Sequence, residues 1–283
     1  MGIKIIENLK KEVIFQVGKF YSRNINQGVL KGKKIYGNFF INRSAGKGLS
    51  KEEQLYASMD LTGKTILEAG AHIGYYTMFF AEKIGNGVIY AFEPNLNSFY
   101  FLNKNIKANG LTNVSLYNLG LSNKKTESLY MADKYNSAKG TFKKERHDEI
   151  LSYSVINISQ KIQLTTIDDF VTEKKLSTVD FVKIDTEGFE PEIIEGMTGT
   201  MKAFRPLIYF EIHGRDASEK RKALSHIFDI AKLLKYEISS LHSGKPVVTA
   251  RYISSESRFG AFLAYTKCHS EEMRKLNKLF FCG

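Results

Sequence analysis

Three carboxylates and one histidine stand where two apolar segments of the sequence end. Asp185 and Glu187 follow the first segment, and Glu211 and His213 lie at the end of the second. Residues two positions apart in a strand share a face, so Glu211 and His213 point the same way if that segment is a strand. Because ligands bind at the carboxyl edge of a doubly wound sheet, we expect the four side chains to converge there.

Two kinds of chemistry suit such a cluster. In the first, His213 is a general base whose pKa is tuned by Glu211 or Asp185. In the second, the three carboxylates and His213 hold a divalent metal, with Mg, Mn or Ca suited to the oxygens and Fe or Zn as further options. We favour the base, which makes Asp185, Glu211 and His213 the predicted catalytic residues. Glu190 is interpreted as a residue that starts a helix, because acidic side chains are common in first helical turns.

A glycine turn follows an earlier apolar segment. Residues 65–76 read Thr-Ile-Leu-Glu-Ala-Gly-Ala-His-Ile-Gly-Tyr-Tyr. Gly70 lets the backbone turn sharply and approach a ligand, because no Cβ intrudes, and Gly74 lets the next helix pack closely. A dinucleotide fingerprint has a second glycine where this chain has His72. The acidic Glu68 at the strand end suits a cationic ligand, and S-adenosylmethionine carries both an ammonium and a sulfonium, so the spacing favours that cofactor over NAD.

Another carboxylate closes the next apolar segment. Glu93 lies 19 residues after Gly74, where doubly wound folds place an acidic residue that accepts the ribose hydroxyls. Pro94 and Asn95 follow, and proline is typical of a first helical turn. Together these features predict a nucleoside site at the carboxyl ends of the strands. His72 is interpreted as an exposed residue at a helix start, without a catalytic role.

Apolar and amphipathic segments alternate from residue 65 onward, which predicts a doubly wound α/β fold with a mostly parallel sheet. The predicted strands are 65–69, 88–92, 114–117, 178–184, 207–212 and 259–265. The predicted helices are 5–21, 73–84, 95–109 and 218–234, with a further helix start at Ser50 and Glu53, which have capping-box spacing.

The chain divides into three parts by its pattern. Residues 1–60 are interpreted as an N-terminal helical and strand extension, 61–267 as the main domain, and 268–283 as a C-terminal helix. The segment 132–160 is rich in Lys, Ser, Asn and Glu and is too long for an ordinary connection. Such insertions are usually functional, so we predict a lid that orders over the bound substrate.

The motifs together resemble the FkbM family of S-adenosylmethionine-dependent methyltransferases. The resemblance extends from about Glu52 to His213 and is carried mainly by 68–77, 91–95 and 179–190. The family often has Asp at position 68 and Asn at position 72. Membership implies a Rossmann-like class I methyltransferase sheet whose last strand is antiparallel, and methyl transfer to a hydroxyl oxygen.

The resemblance also implies roles for single residues. Glu68, Gly70 and Gly74 surround the amino-acid end of the cofactor, Glu93 binds the ribose, and Asp185 faces the reacting methyl. Asn118 to Gly120 flank the adenine. The predicted cofactor-binding residues are Glu68, Gly70, Ala71, Gly74, Glu93, Pro94, Asn118, Leu119, Gly120 and Asp185. Because family members act on sugars, polyketides and related small molecules, a small-molecule or glycan acceptor is expected.

The chain is basic, since Lys and Arg outnumber Asp and Glu by 41 to 30 for a formal charge of +11. Such a surplus attracts phosphate, acidic glycans or anionic membranes, so peripheral membrane contact is left open. The basic residues form no long run, and the nucleic-acid methyltransferase motifs Asn-Pro-Pro-Tyr and Pro-Cys are absent. A nucleic-acid methyltransferase is disfavoured for that reason. It stays an alternative, as does a non-catalytic cofactor-binding protein.

The cysteines indicate the compartment. Cys268 and Cys282 form no CxxC pair, and reduced thiols are typical of a cytoplasmic protein. The apolar runs are also shorter than a membrane span requires. We therefore expect a cytoplasmic protein.

Overall fold

The structure, a computed structural model, describes residues 2–37, 49–134, 140–147, 157–253 and 260–281. Within these ranges the helices and strands in chain order are α1 (Gly2–Phe20), β1 (Arg23–Asn24), β2 (Lys34–Ile35), α2 (Lys51–Ser58), β3 (Thr65–Ala69), α3 (Tyr75–Lys83), β4 (Val88–Phe92), α4 (Leu96–Ala108), β5 (Val114–Tyr117), β6 (Gly120–Leu121), β7 (Thr126–Asp133), β8 (Asn157–Thr165), α5 (Ile167–Lys174), β9 (Phe181–Ile184), α6 (Glu190–Glu195), α7 (Thr198–Phe204), β10 (Leu207–Glu211), α8 (Ala217–Leu233), β11 (Glu237–Ser240), β12 (Ala261–Tyr265) and α9 (Ser270–Phe281).

Seven strands form the central sheet, in the order β5-β4-β3-β9-β10-β12-β11. β12 runs antiparallel to β10 and β11, and the other four strand pairs are parallel. The predicted doubly wound α/β sheet, mostly parallel with an antiparallel last strand, is confirmed. The strand order reverses between β3 and β9, and ligands bind at the carboxyl ends of strands at such a reversal.

The predicted strands 65–69, 88–92 and 114–117 have the predicted bounds, and the three later predicted strands are each shorter at one end, as 181–184, 207–211 and 261–265. The predicted helices correspond to α1, α3, α4 and α8, with Asn95 as the N-cap of α4. Strands β7, β8 and β11 were missed by the sequence analysis.

The core consists of two apolar layers, one on each face of the sheet. Side chains alternate along β3, so Ile66 packs in one layer and Leu67 in the other. The first layer is rich in aromatic rings around Tyr56, which is fully buried against Phe80 and Phe181. Helices on both faces therefore hold the sheet, and the site at its edge, in a fixed geometry.

The N-terminal extension is fastened to the helix that follows the glycine turn. Ser50 and Glu53 form the predicted capping box at the start of α2. Glu53 also accepts a hydrogen bond from the Tyr75 hydroxyl at 2.7 Å, and Glu52 accepts one from the Tyr76 hydroxyl at 2.6 Å. Both tyrosines lie at the start of α3, so their hydrogen bonds to α2 fix the position of α3 relative to α2.

A small second sheet flanks the site, in the order β6-β8-β7. Strands β7 and β8 pair antiparallel from Thr126 opposite Leu164 to Asp133 opposite Asn157. The predicted insertion 132–160 therefore begins and ends inside these two strands. Its residues 135–139 and 148–156, on which the lid prediction chiefly depends, lie outside the described residues, as do residues 38–48 of the predicted N-terminal extension and Cys282.

Within the described ranges, no helix combines the length and the apolar character that crossing a membrane requires.

Candidate active site

The turn after β3 requires glycine. Gly70 has φ +82°, and a Cβ built there would overlap the carbonyl oxygen of Asp185. Gly74 has φ +90°, and a Cβ there would lie 2.6 Å from Leu102 of α4. The two glycines therefore bring the turn against the end of β9 and bring α3 against α4, as the sequence analysis predicts for close packing.

Glu93 ties this turn to the next loop. Its Oε2 accepts a hydrogen bond from the backbone N–H of His72, and its Oε1 accepts one from that of Asn95, each at 2.8 Å. The side-chain amide of Asn118 donates to the carbonyl oxygens of Glu93 and Pro94. Burial raises the pKa of Glu93 to about 7 against these hydrogen bonds.

A cavity of about 180 Å³ opens over the turn. Four of the predicted cofactor residues line it, namely Gly70, Glu93, Pro94 and Asp185. Glu187, a predicted metal ligand, lines it as well. The cavity wall also includes residues that the sequence analysis did not assign to the site: His72, Leu121, Tyr130, Gly140, Phe142, Thr186, Phe189 and Ile193.

The backbone is strained on both sides of this cavity. His72 has φ +51° and Glu187 has φ +55°, values that side chains other than glycine rarely adopt. His72 is partly buried in the cavity wall, which differs from the predicted exposed helix start. Burial lowers the pKa of His72 to about 4. Such strain is common where a site must be preorganised.

The carboxylate and histidine cluster forms at the ends of β9 and β10, as predicted. His213 Nε2 lies 3.8 Å from Asp185 Oδ1 and 3.9 Å from an oxygen of both Glu187 and Glu211. None of these distances is a hydrogen bond. One ligand atom each of Asp185, Glu211 and His213 lie within 4.8 Å of one another, so this set could hold a metal ion.

Glu190 is the hydrogen-bond partner of His213, which the sequence analysis missed. Its Oε1 lies 3.0 Å from His213 Nδ1 and also accepts the backbone N–H of Gly188 at 2.9 Å. Glu190 does start α6, but its side chain is fully buried instead of solvated. The partner expected to tune His213 was Glu211 or Asp185, and neither is within hydrogen-bond distance.

The cluster raises the pKa values of His213 and Glu211 above their ordinary values. Burial lowers the pKa of His213, but the Glu190 hydrogen bond and the charges of Glu190, Glu187 and Asp185 outweigh it and raise the pKa to about 10. Burial and the nearby Asp185 raise the pKa of Glu211 to about 7. The imidazole of the free protein is therefore cationic at neutral pH.

A wider cleft of about 710 Å³ lies on the other side of the cluster, and His213 lines it. Phe142 and Phe189 line both this cleft and the smaller cavity, so the two spaces share a wall. His213 thus stands between a cavity with carboxylates and a cleft large enough for a second ligand.

Comparison with known proteins identifies the family of this chain. The family model described as the methyltransferase FkbM domain matches residues 68–238, a range that includes the glycine turn and the whole carboxylate cluster. The chain belongs to the FkbM methyltransferase family. The resemblance noted in the sequence is confirmed, and with it the prediction of an S-adenosylmethionine-dependent methyltransferase domain.

Individual relatives are distant. The chain is 24% identical over 146 residues to Methyltransferase 1 of Beauveria bassiana, a match that covers 47% of this chain and 57% of the relative. The FkbM methyltransferase of Methylobacillus flagellatus superposes with a TM-score of 0.47 at 14% identity, over 93% of this chain and 60% of that one. The O-methyltransferase from Bacillus cereus, solved in complex with SAH, gives a TM-score of 0.45 at 16% identity, over 79% and 84%.

Glu68 and five other predicted cofactor residues lie outside the cavity wall. Glu68 is 1% exposed and accepts a hydrogen bond from Thr77 at 2.6 Å, while its Oε1 has no hydrogen-bond partner among the described residues. Burial raises the pKa of Glu68 to about 7. Predicted cofactor residues that do not line the cavity are Glu68, Ala71, Gly74, Asn118, Leu119 and Gly120.

The buried Lys183 offsets part of the negative charge of the carboxylate and histidine cluster. It is 1% exposed on β9, and its Nζ lies 3.3 Å from Asp185 Oδ2. Burial raises the pKa of Asp185, but Lys183 and then His213 outweigh it and hold that pKa below its usual range. Asp185 is therefore ionised in the cavity wall at neutral pH.

Proposed function

We propose that this chain is an S-adenosylmethionine-dependent O-methyltransferase that methylates a hydroxyl group of a sugar, a glycan or a related small molecule. The observation that carries this proposal is the position of His213. It lies between the cavity with the FkbM motif residues and the wider cleft, and a buried carboxylate holds one of its nitrogens. That is the arrangement of a general base between a cofactor and an acceptor.

The cavity suits a cationic nucleoside. Its wall contains the carboxylates of Glu93, Asp185 and Glu187 and no Lys or Arg among the described residues. A Cβ at Gly70 would fill the approach to the end of β9, so the turn leaves room that only glycine allows.

S-adenosylmethionine, when bound, supplies a methyl group that its sulfonium has already activated toward displacement. The residues of the chain must then hold the acceptor hydroxyl in line with that methyl and remove its proton. Glu190 accepts the Nδ1–H of His213, which leaves Nε2 to receive the hydroxyl proton. Asp185 and Glu187 stabilise the imidazolium that results, since each lies within 3.9 Å of Nε2.

The same carboxylates explain how His213 becomes neutral before it acts. In the free protein the hydrogen bond and charge of Glu190, and then the charges of Glu187 and Asp185, raise its pKa to about 10. Glu187 and Asp185 also line the cavity proposed for the positively charged methyl donor, so a second cation then competes for these two carboxylates. A like charge near the imidazole lowers its pKa. Binding of the cofactor therefore moves the pKa of His213 down toward neutral pH, so that a larger fraction of the imidazole is unprotonated.

Calorimetry tests the cofactor assignment. We expect S-adenosylmethionine and its demethylated product S-adenosylhomocysteine to bind with one site per chain, and NAD not to bind. The physical reason is that the carboxylate wall repels a pyrophosphate and attracts a sulfonium or ammonium. Binding of NAD without binding of either methyl-donor ligand would contradict the proposed function.

The same calorimetry tests the role of Glu93 when that residue is substituted. If it accepts the ribose hydroxyls, Glu93→Ala weakens S-adenosylhomocysteine binding by about 2–4 kcal/mol, the range for a buried charge-assisted pair. Glu93→Gln keeps the shape and should lose less, while the exposed Glu271→Gln on α9 serves as the matched control. Equal affinity for all three variants and the wild type would mean that the ribose binds elsewhere.

A further inference from the structure

The wider cleft beside His213 is basic. Among the described residues that line it, five Lys or Arg side chains face three glutamates. The cations come from two parts of the chain, the segment between β7 and β8 and the residues around the start of α8: Lys143, Lys144, Arg146, Arg215 and Lys222. The acidic residues are Glu192, Glu195 and Glu219.

Each of the three glutamates already has a neighbour among the described residues. Glu192 lies 3.5 Å from Lys143 Nζ, and Glu195 lies 3.5 Å from His226. Glu219 forms an ion pair with Arg215. Two of the three acidic groups are therefore paired with a Lys or Arg of the cleft itself.

Of the other three cations, Arg146 donates a hydrogen bond to the carbonyl oxygen of Glu187, and two lysines remain. Lys144 and Lys222 are exposed, and neither forms an ion pair or side-chain hydrogen bond with the described part of the chain. One lies between β7 and β8 and the other on α8, and both line the same cleft. Two lysine ammonium groups in one cleft suit an anion with several oxygens that can contact both.

The inner end of the cleft is apolar and aromatic. The rings of Phe142 and Phe189 lie 5.3 Å apart between centroids, and Pro191 extends the same surface. Both rings also line the smaller cavity proposed for the cofactor, so a ligand that packs on them lies against the wall that the two spaces share. The C–H face of a sugar ring is a suitable partner for such rings, since it is apolar while its edge carries hydroxyls.

On these observations we propose that the methyl acceptor is a phosphorylated sugar. The sugar ring packs on Phe142 and Phe189 with one hydroxyl toward His213, and its phosphate or pyrophosphate group lies between Lys144 and Lys222. This inference rests on the proposed function, because it assigns the acceptor of the same site. A nucleic acid is the less suitable occupant, since a continuous phosphate backbone needs many Lys and Arg contacts and Lys144 and Lys222 offer two.

Pyrophosphate is the probe that tests the anion site without any need for turnover. Calorimetry at about 0.15 M salt, where exposed charges are screened beyond about 8 Å, compares the wild type with Lys144→Glu and Lys222→Glu. We expect saturable binding to the wild type and a loss of about tenfold in each variant, as for one charge-assisted contact. Lys232→Glu, an exposed lysine on the same helix as Lys222 but outside the cleft, should bind within about twofold of the wild type.

Two further arms separate the sources of the phosphate. Glucose 1-phosphate and UDP-glucose should each compete with pyrophosphate, and unphosphorylated glucose should not. The tighter of the two competitors then distinguishes a simple sugar phosphate from a nucleotide sugar. S-adenosylhomocysteine is titrated into the same samples, and its affinity should be equal in all four proteins.

Absence of pyrophosphate binding in the wild type, or equal binding in all variants, would overturn the phosphorylated-sugar inference. If S-adenosylhomocysteine still binds in those samples, the proposed function survives that failure; if pyrophosphate binds and S-adenosylhomocysteine does not, it is the proposed function that fails. A single-stranded RNA that displaces pyrophosphate with a steep salt dependence would assign the cleft to nucleic acid instead.

Discussion

Replacing His213 with alanine is expected to lower the rate of methyl transfer by about 10²–10⁴-fold, the usual contribution of a general base. Affinity for S-adenosylhomocysteine should change little, because His213 lines the wider cleft and not the cofactor cavity. The measurement is a single-turnover rate at saturating S-adenosylmethionine. His226→Ala is the matched control, since His226 lines the same cleft and has Glu195, 3.5 Å away, as its acidic neighbour.

The chelator EDTA separates the base from a metal at Asp185, Glu211 and His213. A histidine base predicts that EDTA has no effect on the wild type. Loss of turnover with EDTA and its restoration by Mg or Mn would instead assign the cluster to a metal. Full activity of His213→Ala in the presence of EDTA would contradict both mechanisms. Positioning of the acceptor against the methyl donor would then be the remaining mechanism.

Glu190→Gln is expected to reduce the limiting rate at alkaline pH by about 10²-fold or more, as when the group that orients a catalytic imidazole loses its charge. Glu190 acts through His213 and is a positioning residue, so the decisive readout is the pH profile. The wild-type kcat/KM should rise with pH, because the base must lose a proton from an imidazolium whose pKa in the free protein is about 10.

The direction of the shift in Glu190→Gln follows from the charge. The Glu190 carboxylate favours the imidazolium, so its removal lowers the pKa of His213 and moves the rising limb of the profile to lower pH. Glu173→Gln, an exposed carboxylate on α5, should leave both rate and profile unchanged. A lower rate with an unmoved profile would indicate a merely structural role for Glu190, and a thermal melt would show whether that variant is folded.

The strand ends of the site could be predicted because short-range rules govern them. Alternation along a strand placed Glu211 and His213 together, and the parallel order of β9 and β10 brought Asp185 beside them. The sharp turn at Gly70 could also be predicted from the sequence, since only glycine fits against the end of β9.

The role of Glu190 could not be predicted in the same way. An acidic residue in a first helical turn has the same local sequence whether its side chain is solvated or buried against a histidine 23 residues later. His72 was misplaced for a related reason, because its left-handed backbone depends on the Glu93 carboxylate that accepts its N–H.

Tyr130 and Phe142 were missed because they reach the cavity through the second sheet. The signal for that sheet was present in β8, where Ile158, Ile162 and Leu164 alternate with exposed polar residues. The polar composition around them favoured a loop in the sequence analysis, and pairing with β7 is a long-range property that composition does not reveal.

Methyl transfer itself is the central claim, and one measurement tests it most directly. The protein is incubated with S-adenosylmethionine labelled in its methyl group and with a fractionated extract of the source cell. The account predicts that label enters a low-molecular-weight or glycan fraction as a methyl ether, which resists mild alkali, and that His213→Ala abolishes most of this incorporation. Label that enters only nucleic acid, label released by mild alkali, or no transfer to any fraction would contradict it.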